Sequence, residues 1–491
     1  MIVEKLWIAC REITMENMIT GKILKRRGWR EGKIIGLAKK IAAQLESQGL
    51  ERDEILDRLD QVKDRPHDFM IDPLMSALAK ECLHRESGDA APTAETIRST
   101  PFPYRVWGEE HIDRESFNQM DNAMRLPISM MGALMPDAHV GYGLPIGGVL
   151  ATDNVVIPYA VGVDIACRMR LSIYDVSPIL IGQKRGQFER SLLDQTQFGM
   201  GAEWKGSKRA QHDVLDDAAW KATRLLASLQ AAAYSQLGTS GTGNHFVEWG
   251  TFKLFEDDPK LNLKAGEYLS LLSHSGSRSI GFKIANYYSK LAQDLHPLLD
   301  KSARHLAWLS LDSEAGAEYW LSMELAGRFA SANHFVIHHR VAEAVGLKEI
   351  AHVENHHNFA WRENMPDGRQ AIVHRKGATP AGKGVFGVIP GSMGDAGYVV
   401  RGRGIPESLN SASHGAGRQM SRKAAINSIT KTARDSYLRE RSVTLLGGGL
   451  DESPQAYKRI DEIIAAQNDL VDVVGKFTPK IVRMAEEAGD I

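Results

Sequence analysis

Residues Val140–Asp153 read VGYGLPIGGVLATD, and NVVIPYAVGVDIACRMRLSIYD follows as far as Asp175. Glycine recurs at 141, 143, 147 and 148, with β-branched residues between and after. Glycine opens backbone conformations that other residues resist, so this pattern predicts short strands joined by tight turns. Apolar and polar residues alternate over Arg168–Ile173, as in a strand. The fold decision rests here: the middle of the chain is β-rich and turn-dense.

Reading outward changes the pattern. From Tyr104 onward glycine punctuation stays dense, and two long helical stretches interrupt it. One covers Asp213–Gln236, rich in Ala and Leu. The other covers Ser313–Ala344, where Met323, Leu325, Ala326 and Phe329 have core spacing. The C-terminal third returns to strands and glycine loops and closes with a helix around Ser453–Ala466. Toward the N-terminus the chain reads as helical. Ile34, Ile35, Ala38, Ile41, Ala42 and Leu45 recur at helical spacing, as do Ile55, Leu56 and Leu59 within Glu51–Lys63. The stretch Glu86–Pro103, ESGDAAPTAETIRSTPFP, has the make-up of a linker. The expected organisation is a helical extension over 1–95 and a catalytic domain over 104–491. The fold class read from periodicity is mixed α and β, without a regular βαβ count and without an internal repeat.

Composition narrows the function. The chain has 491 residues, 43% hydrophobic and 25% charged, with a formal net charge of -1. No global positive field announces nucleic acid, so any such partner needs a local basic groove. One candidate patch is GKILKRRGWREGK (Gly21–Lys33), with Lys22, Lys25, Arg26, Arg27, Arg30 and Lys33. It reads either as a solvated helix and turn or as a phosphate-contacting surface with Trp29 free to stack on a base. The cysteines are Cys10, Cys82 and Cys167, far apart and without CxxC pairing. That excludes a disulfide scaffold and a four-cysteine zinc site and fits a reducing cytoplasm. No apolar run reaches the roughly 20 residues that span a bilayer. The N-terminal MIVEKLWIACREITMENM carries glutamates where a signal peptide is apolar, so it is expected to be mature cytoplasmic sequence.

Six places set reactive side chains among glycines or small residues. They hold Asp137 and His139 in MPDAHVGYGLPIGG, Asp164 and Cys167 in GVDIACRM, and Asn244, His245 and Glu248 in GTSGTGNHFVEWG. The others hold His274 and Arg278 in HSGSRSIG, Asn355 to Asn358 in NHHNFAWRE, and His414 in NSASHGAGRQMSR. Singly each has an ordinary explanation: a hydrogen-bonding histidine, a Ser/Gly turn, a small buried cysteine. His334, His338 and His339 lie in a helical stretch and read as packing or surface residues. Together, Asp, Cys and several His make a first-row transition-metal inventory. Imidazole and thiolate argue against magnesium or calcium alone, and carboxylate with imidazole suits manganese, iron or zinc. Glycine-flanked backbone beside Arg278 and Arg418 suits phosphate. A metal site next to an anion site is the arrangement of phosphoryl or nucleotidyl transfer. Neutral imidazole is a competent nucleophile near pH 7. The small residues Ser413, Gly415 and Ala416 leave room for a nucleotide phosphate to reach the His414 ring.

In order, MPDAHVGYGLPIGG, VGVDIACRM, GNHFVE, HSGSR, HHN, HRKGATPA, IPGSMG and SHGAGR resemble the motifs of the RtcB-type RNA ligases, from about Tyr104 to the C-terminus. The resemblance implies an α+β fold, with mixed β-sheets and packed helices around a deep metal-containing cleft. It implies an enzyme that uses GTP and two Mn2+ ions. Such an enzyme joins RNA 2′,3′-cyclic phosphate or 3′-phosphate ends to 5′-hydroxyl ends through a histidine-guanylate intermediate. By the same resemblance His414 is the guanylylated nucleophile. Asp164, Cys167 and His245 would hold one manganese, and Cys167, His274 and His357 the other. The nucleotide site would comprise Asn244, His245, Phe246, Val247 and Glu248, then His357 and Asn358. Pro390, Gly391, Ser392, Met393 and Gly397 would follow, with His414, Gly415, Ala416 and Gly417. Glu248 is the expected acceptor for a guanine edge. Partners implied are RNA, in tRNA splicing or RNA repair, and an archease-like activating protein; no membrane is implied.

The chain departs from the family pattern at four points. Ala166 and Arg168 flank Cys167 where glycines are usual, and Arg168 is expected to add positive charge beside the metals. Gly397 stands where a serine helps read guanine, and Met484 aligns with a guanine-contacting lysine, with Lys480 nearby. Losing those contacts is expected to relax nucleotide choice. Two further readings stay open. One is an RNA 3′-end nucleotidyltransferase or cyclic phosphodiesterase that does not seal. The other is a non-catalytic RNA-binding relative.

Overall fold

The computed structural model describes residues 19–29, 31–69, 72–86, 96–365 and 367–486. Cys10, Arg30, the N-terminal signal reading and half of the expected linker, residues 87–95, fall outside them. The described chain divides into two compact units.

The first unit holds the N-terminal helices together with Leu309–Trp320, a segment that reading along the chain places in the catalytic part. Its helices include Lys33–Ser47 and Arg52–Asp64, as the apolar spacing predicts. Ile35, Ala38, Leu45, Leu59 and Val62 bury the shared face. Glycine at 36 lets the first of these helices lie against the returning segment: a Cβ there would sit 1.3 Å from the Asp312 carbonyl oxygen. Trp29 corrects the stacking expectation. It is only 3% exposed, inside this core, and its Nε1 donates to Asp60 at 2.7 Å. Arg27 is bonded to Asp57 and Asp60, each at 2.6 Å, and Lys25 to Glu31 at 2.8 Å. These side chains organise the helices, so the indole offers no face to a base.

The second unit is α+β and built on mixed sheets. A five-stranded sheet runs Arg105–Val106, Ser129–His139, Ile146–Thr152, Gln370–Lys376, Asn358–Asn364. An eight-stranded sheet runs Phe386–Ile389, Gly397–Gly402, Val471–Met484, Phe246–Leu254, Gly266–Ser275, Arg168–Tyr174, Glu349–His356, with Thr444–Leu446 beside Val471–Met484. The pairings are antiparallel except those of Arg105–Val106 and Thr444–Leu446. The Arg168–Tyr174 strand is buried on both faces: Met169, Leu171 and Ile173 enter one apolar core, and on the other face Arg168 bonds the Gly327 carbonyl and Ser172 bonds His338.

Three elements differ from expectation. Asp213–Lys221 forms two short 3-10 turns, and the helix begins only at Arg224, because Asp217 and Thr223 side chains cap successive starts. The closing helix shortens to Ile460–Ala465 behind a 3-10 turn at Pro454–Ala456. The segment VDVVGKFTPKIVRM forms a 14-residue strand in the middle of the large sheet, broken by a register shift at Pro479/Ile481. Proline has no N–H to give a ladder, so the strand is irregular there.

Candidate active site

Sheet pairing gathers the site. The strands Phe246–Leu254, Gly266–Ser275, Arg168–Tyr174 and Glu349–His356 are consecutive neighbours. Phe246 pairs with His274, Met169 with His274, and Arg168 with His356. His245, Cys167 and His357 each lie one residue beyond the end of their strand. All four ligand-type side chains therefore come to one end of the sheet. Asp164 joins them through a tight turn in which Cys167 N donates to the Asp164 carbonyl at 3.1 Å. Glycine at 276 leaves room for that carboxylate, since a Cβ there would meet Asp164 Oδ1 at 2.2 Å.

Two trios share the thiol. Cys167, His274 and His357 form one and Asp164, Cys167 and His245 the other, with donor atoms within 4.8 Å of one another. Cys167 Sγ lies 3.0 Å from His274 Nε2 and 3.4 Å from His245 Nε2. His245 Nε2 is 3.0 Å from Asp164 Oδ2, and His274 Nε2 is 3.2 Å from His357 Nε2. The Asn244 carbonyl accepts from His274 Nδ1 at 2.9 Å, which turns the Nε2 lone pair toward the thiol. Burial, then the Asp164 charge, pushes the Cys167 thiol well above its usual range. Burial, then neighbouring histidines, holds His274 and His357 well below theirs. Burial works against Asp164, yet the hydrogen bond from His245 brings its carboxyl below the usual range. A buried thiol beside neutral imidazoles and a carboxylate is a donor set for borderline divalent cations, and bound cations make such a thiol a thiolate. Each trio has the donor set of a divalent-cation site, and Cys167 belongs to both.

His414 stands beside this cluster, its ring 4.8 Å from that of His357. It follows the strand Ser411–Ser413, which pairs with Ala378–Pro380. Asp137, fully buried, accepts from His414 Nδ1 at 2.7 Å, from His414 N at 3.1 Å and from Gly415 N at 3.3 Å. That fixes the tautomer: Nδ1 carries the proton and Nε2 keeps its lone pair. Gly417 has φ +74, and a Cβ there would meet the Asp137 carbonyl oxygen at 2.1 Å, so only glycine lets the loop close over Asp137.

The cluster opens into a cleft of about 1300 Å³. Asp164, Cys167, Asn244, Phe246, His274, His357 and Asn358 line it, as do Pro390, Gly391, Ser392, Met393, His414, Gly415, Ala416, Gly417 and Arg418. Lys376 also lines it; burial lowers its ammonium to about 7. Other expected residues stand back. Val247 points into the core on the opposite face of the sheet, with Trp249 and Leu271. Glu248 is buried behind Phe246 on the cleft-side face, and desolvation raises its carboxyl well above the usual range. Gly397 lies under Pro390, where a Cβ would touch Pro390 Cα at 3.4 Å. Arg278 is spent on the Thr239 hydroxyl (3.1 Å) and the Gly199 carbonyl (3.4 Å). Arg418 reaches the cleft while bonded to the Asp451 carbonyl (2.7 Å) and to Glu452 (3.4 Å).

The departures resolve in physical terms. Ala166 has φ 58, the conformation that favours glycine, at a cost of about 1–2 kcal/mol. Arg168 is buried, paired with Glu354 and bonded to the Gly327 carbonyl; its charge does act on Cys167, but burial and Asp164 outweigh it there. Met484 does line the cleft and pairs across the sheet with Phe246. Asp137 is the residue whose role sequence reading missed. Its motif stands out, but nothing local links it to a histidine 277 positions away. His334 and His338 are buried and bonded to Ser273, each at 2.7 Å.

Residues 119–485 match the family model described as tRNA-splicing ligase RtcB. The chain is 32% identical to the RNA-splicing ligase RtcB of Escherichia coli K12 over 415 residues, 77% of this chain and 97% of that one. It is 30% identical to the tRNA-splicing ligase RtcB of Nanoarchaeum equitans over 455 residues, 77% of this chain and 94% of that one. It is 27% identical to the RNA-splicing ligase RtcB homolog 1 of Entamoeba dispar over 412 residues, 70% of this chain. The matched span contains the cysteine-histidine cluster and the Asp137–His414 pair, and the chain belongs to the RtcB family.

Proposed function

We propose that this chain is an RNA ligase that joins RNA 2′,3′-cyclic phosphate or 3′-phosphate ends to 5′-hydroxyl ends, using GTP and manganese. The observation that carries it is the His414 ring, tautomer-fixed by Asp137 and set against the two-trio cluster at the mouth of the cleft. Its Nε2 lone pair is the nucleophile: a P–N bond forms to the α-phosphorus of GTP and pyrophosphate leaves. Asp137 stabilises the imidazolium that develops, and Asn244 keeps His274 turned toward the thiol. The RNA 3′-phosphate then takes the guanylate from His414, and the 5′-hydroxyl displaces GMP as the new phosphodiester forms. A cyclic phosphate is opened by water first. Asp164, Cys167 and His245 would hold one Mn2+ and Cys167, His274 and His357 the second; when bound, the ions supply positive charge against the triphosphate. Arg418 contributes cationic charge in the same cleft.

RNA is the proposed substrate in splicing or repair, in the cytoplasm, and an archease-like protein is the proposed activator. No helix among the described residues is long and apolar enough to cross a membrane. The decisive test incubates the purified protein with manganese and α-labelled nucleoside triphosphates. Acid-labile label from GTP that is absent in His414→Ala supports the reading, and ligation of RNA ends is then assayed directly. No label from any nucleotide, with manganese bound, overturns the guanylate step and favours a metal-dependent phosphodiesterase.

A further inference from the structure

Asp137 presents an electrostatic problem that the site as described leaves unsolved. It is fully buried, three N–H groups converge on Oδ2, and Oδ1 has no hydrogen-bond partner. No arginine or lysine forms an ion pair with it among the described residues. A buried carboxylate without a counter-charge is costly.

Lys458 is the cation placed to answer this. Its Nζ donates to the Ala138 carbonyl at 2.6 Å and to the Pro136 carbonyl at 3.3 Å, the carbonyls of the residues before and after Asp137. Its backbone N donates to the Gly417 carbonyl at 3.0 Å, in the loop that carries His414. One residue thus grips both halves of the pair, the strand of the carboxylate through its ammonium and the loop of the imidazole through its main chain. The ammonium has a third N–H, and the side chain lines the cleft. The groups around it are few. Asp137 and Asp113 raise its affinity for a proton, burial opposes them more strongly, and His139 is held near 4 mainly by its own burial.

We propose that Lys458 is the positioning residue of the nucleophile: it locks the Asp137 segment under His414 and supplies the buried carboxylate's counter-charge through the two flanking carbonyls. A lysine suits this place better than an arginine. A compact ammonium fits between two carbonyls of one strand, whereas a planar guanidinium needs a wider fork of acceptors. The proposal concerns how His414 is prepared and rests on the functional reading only for its kinetic consequence.

The experiment uses the full chain with 15N-labelled histidine, as wild type, Lys458→Met, Lys458→Arg and His414→Gln. The Nδ1 proton of an imidazole bonded to a carboxylate resonates far downfield, and its loss in His414→Gln assigns it. The expected result is loss or strong upfield movement of this resonance in Lys458→Met, with partial retention in Lys458→Arg and unchanged thermal unfolding in both. In the labelling assay at saturating nucleotide, the first-order rate should fall on the order of tenfold in Lys458→Met, with the half-saturating concentration within about threefold of wild type. A wild-type resonance and a wild-type rate in Lys458→Met overturn the proposal. If Lys458→Met unfolds early, the Lys458→Arg spectrum decides alone: an unaltered resonance with an unaltered rate sinks the idea. If wild type takes no label, the nucleotidyl-transfer reading fails, while the histidine spectrum still tests the clamp.

Discussion

Asp137 Oδ2 lies 2.7 Å from His414 Nδ1, although the two residues are 277 positions apart in the chain. The contact assigns the imidazole its tautomer and leaves Nε2 open to the cleft. Asp137→Asn keeps the shape and removes the acceptor-only character. Its amide can donate to Nδ1 and drive the proton to Nε2, and the N–H groups of His414 and Gly415 lose a charged acceptor. The analogous change in other aspartate–histidine pairs costs about 10⁴ in rate. We expect a loss of about 10³ to 10⁴ in single-turnover labelling, with manganese content unchanged. A loss under tenfold would mean that His414 finds its tautomer without Asp137.

The thiol belongs to both donor trios, whereas each histidine belongs to one. Cys167→Ala should therefore abolish tight binding of both cations, and His357→Ala or His245→Ala should each remove one. Metal analysis after gel filtration in dilute manganese distinguishes these outcomes. One ion retained by Cys167→Ala at full affinity would show that the trios are independent.

Met484 and Glu248 lie on paired strands, near the diagonal: Met484 pairs with Phe246 and Glu248 with Val482. With apolar neighbours such as Leu272 and Val482 around it, Glu248 is desolvated and its carboxyl is raised well above the usual range. A neutral carboxyl both donates and accepts, so it pairs with adenine or guanine; a carboxylate only accepts, and suits guanine. Met484→Lys brings an ammonium within diagonal reach. It should improve discrimination of GTP over ATP by about tenfold or more, read as the ratio of labelling efficiencies. An unchanged ratio would separate Glu248 from base selection.

The sequence carries the chemistry of this site more plainly than its architecture. Asp164, Cys167, His245, His274, His357 and His414 stand in glycine-rich motifs, and the fold brings all six together. The Asp137 partnership stays hidden because only the folded packing of the Ser129–His139 strand beside Ser411–Ser413 sets Asp137 against the His414 loop. The strand Val471–Met484 is obscured by Gly475 and Pro479, which weaken strand propensity while two neighbouring strands still pair with it. Arg168 and Trp29 mislead for one reason: charge and aromaticity are visible in a sequence, whereas the carboxylates that engage them, Glu354 and Asp60, are supplied by the fold.

Trp29 therefore becomes a stability prediction. Trp29→Ala removes a buried indole from the helical unit and leaves Asp60 with one donor fewer, which should cost about 3–5 kcal/mol in that unit. Arg26→Ala, at an exposed position, should stay within about 0.5 kcal/mol. Thermal unfolding of the two variants checks this. Replacing Lys25, Arg26 and Arg27 together should leave the salt dependence of RNA binding unchanged, because Lys25 and Arg27 are already paired. A slope reduced by about one unit or more would restore this surface as a phosphate contact.

Buried neutral imidazoles set the acid limit of the metal-free protein. Burial is the leading cause in each case: it lowers His334 and His356 to about 3 and His139 and His374 to about 4, and holds His274, His338 and His357 well below the ordinary 6.5. Below about pH 6.5 the unfolded chain takes up protons that the folded chain refuses. Stability therefore rises with pH up to about 6.5 and is lost as pH falls below it, by about 1.4 kcal/mol per pH unit for each histidine. The carboxylates act later. Burial opposes the charge of Glu349 and Glu354, yet their partners hold both near 2, so their contribution is lost only below about 4.5. Urea unfolding in chelator at pH 7.5, 6.0 and 5.5 should show stability flat above neutrality and falling steeply below 6.5, with uptake of several protons on unfolding. A profile flat down to pH 5 would mean that these rings are protonated in the folded protein, and that the donor lone pairs turned toward Cys167 are not free to bind a cation.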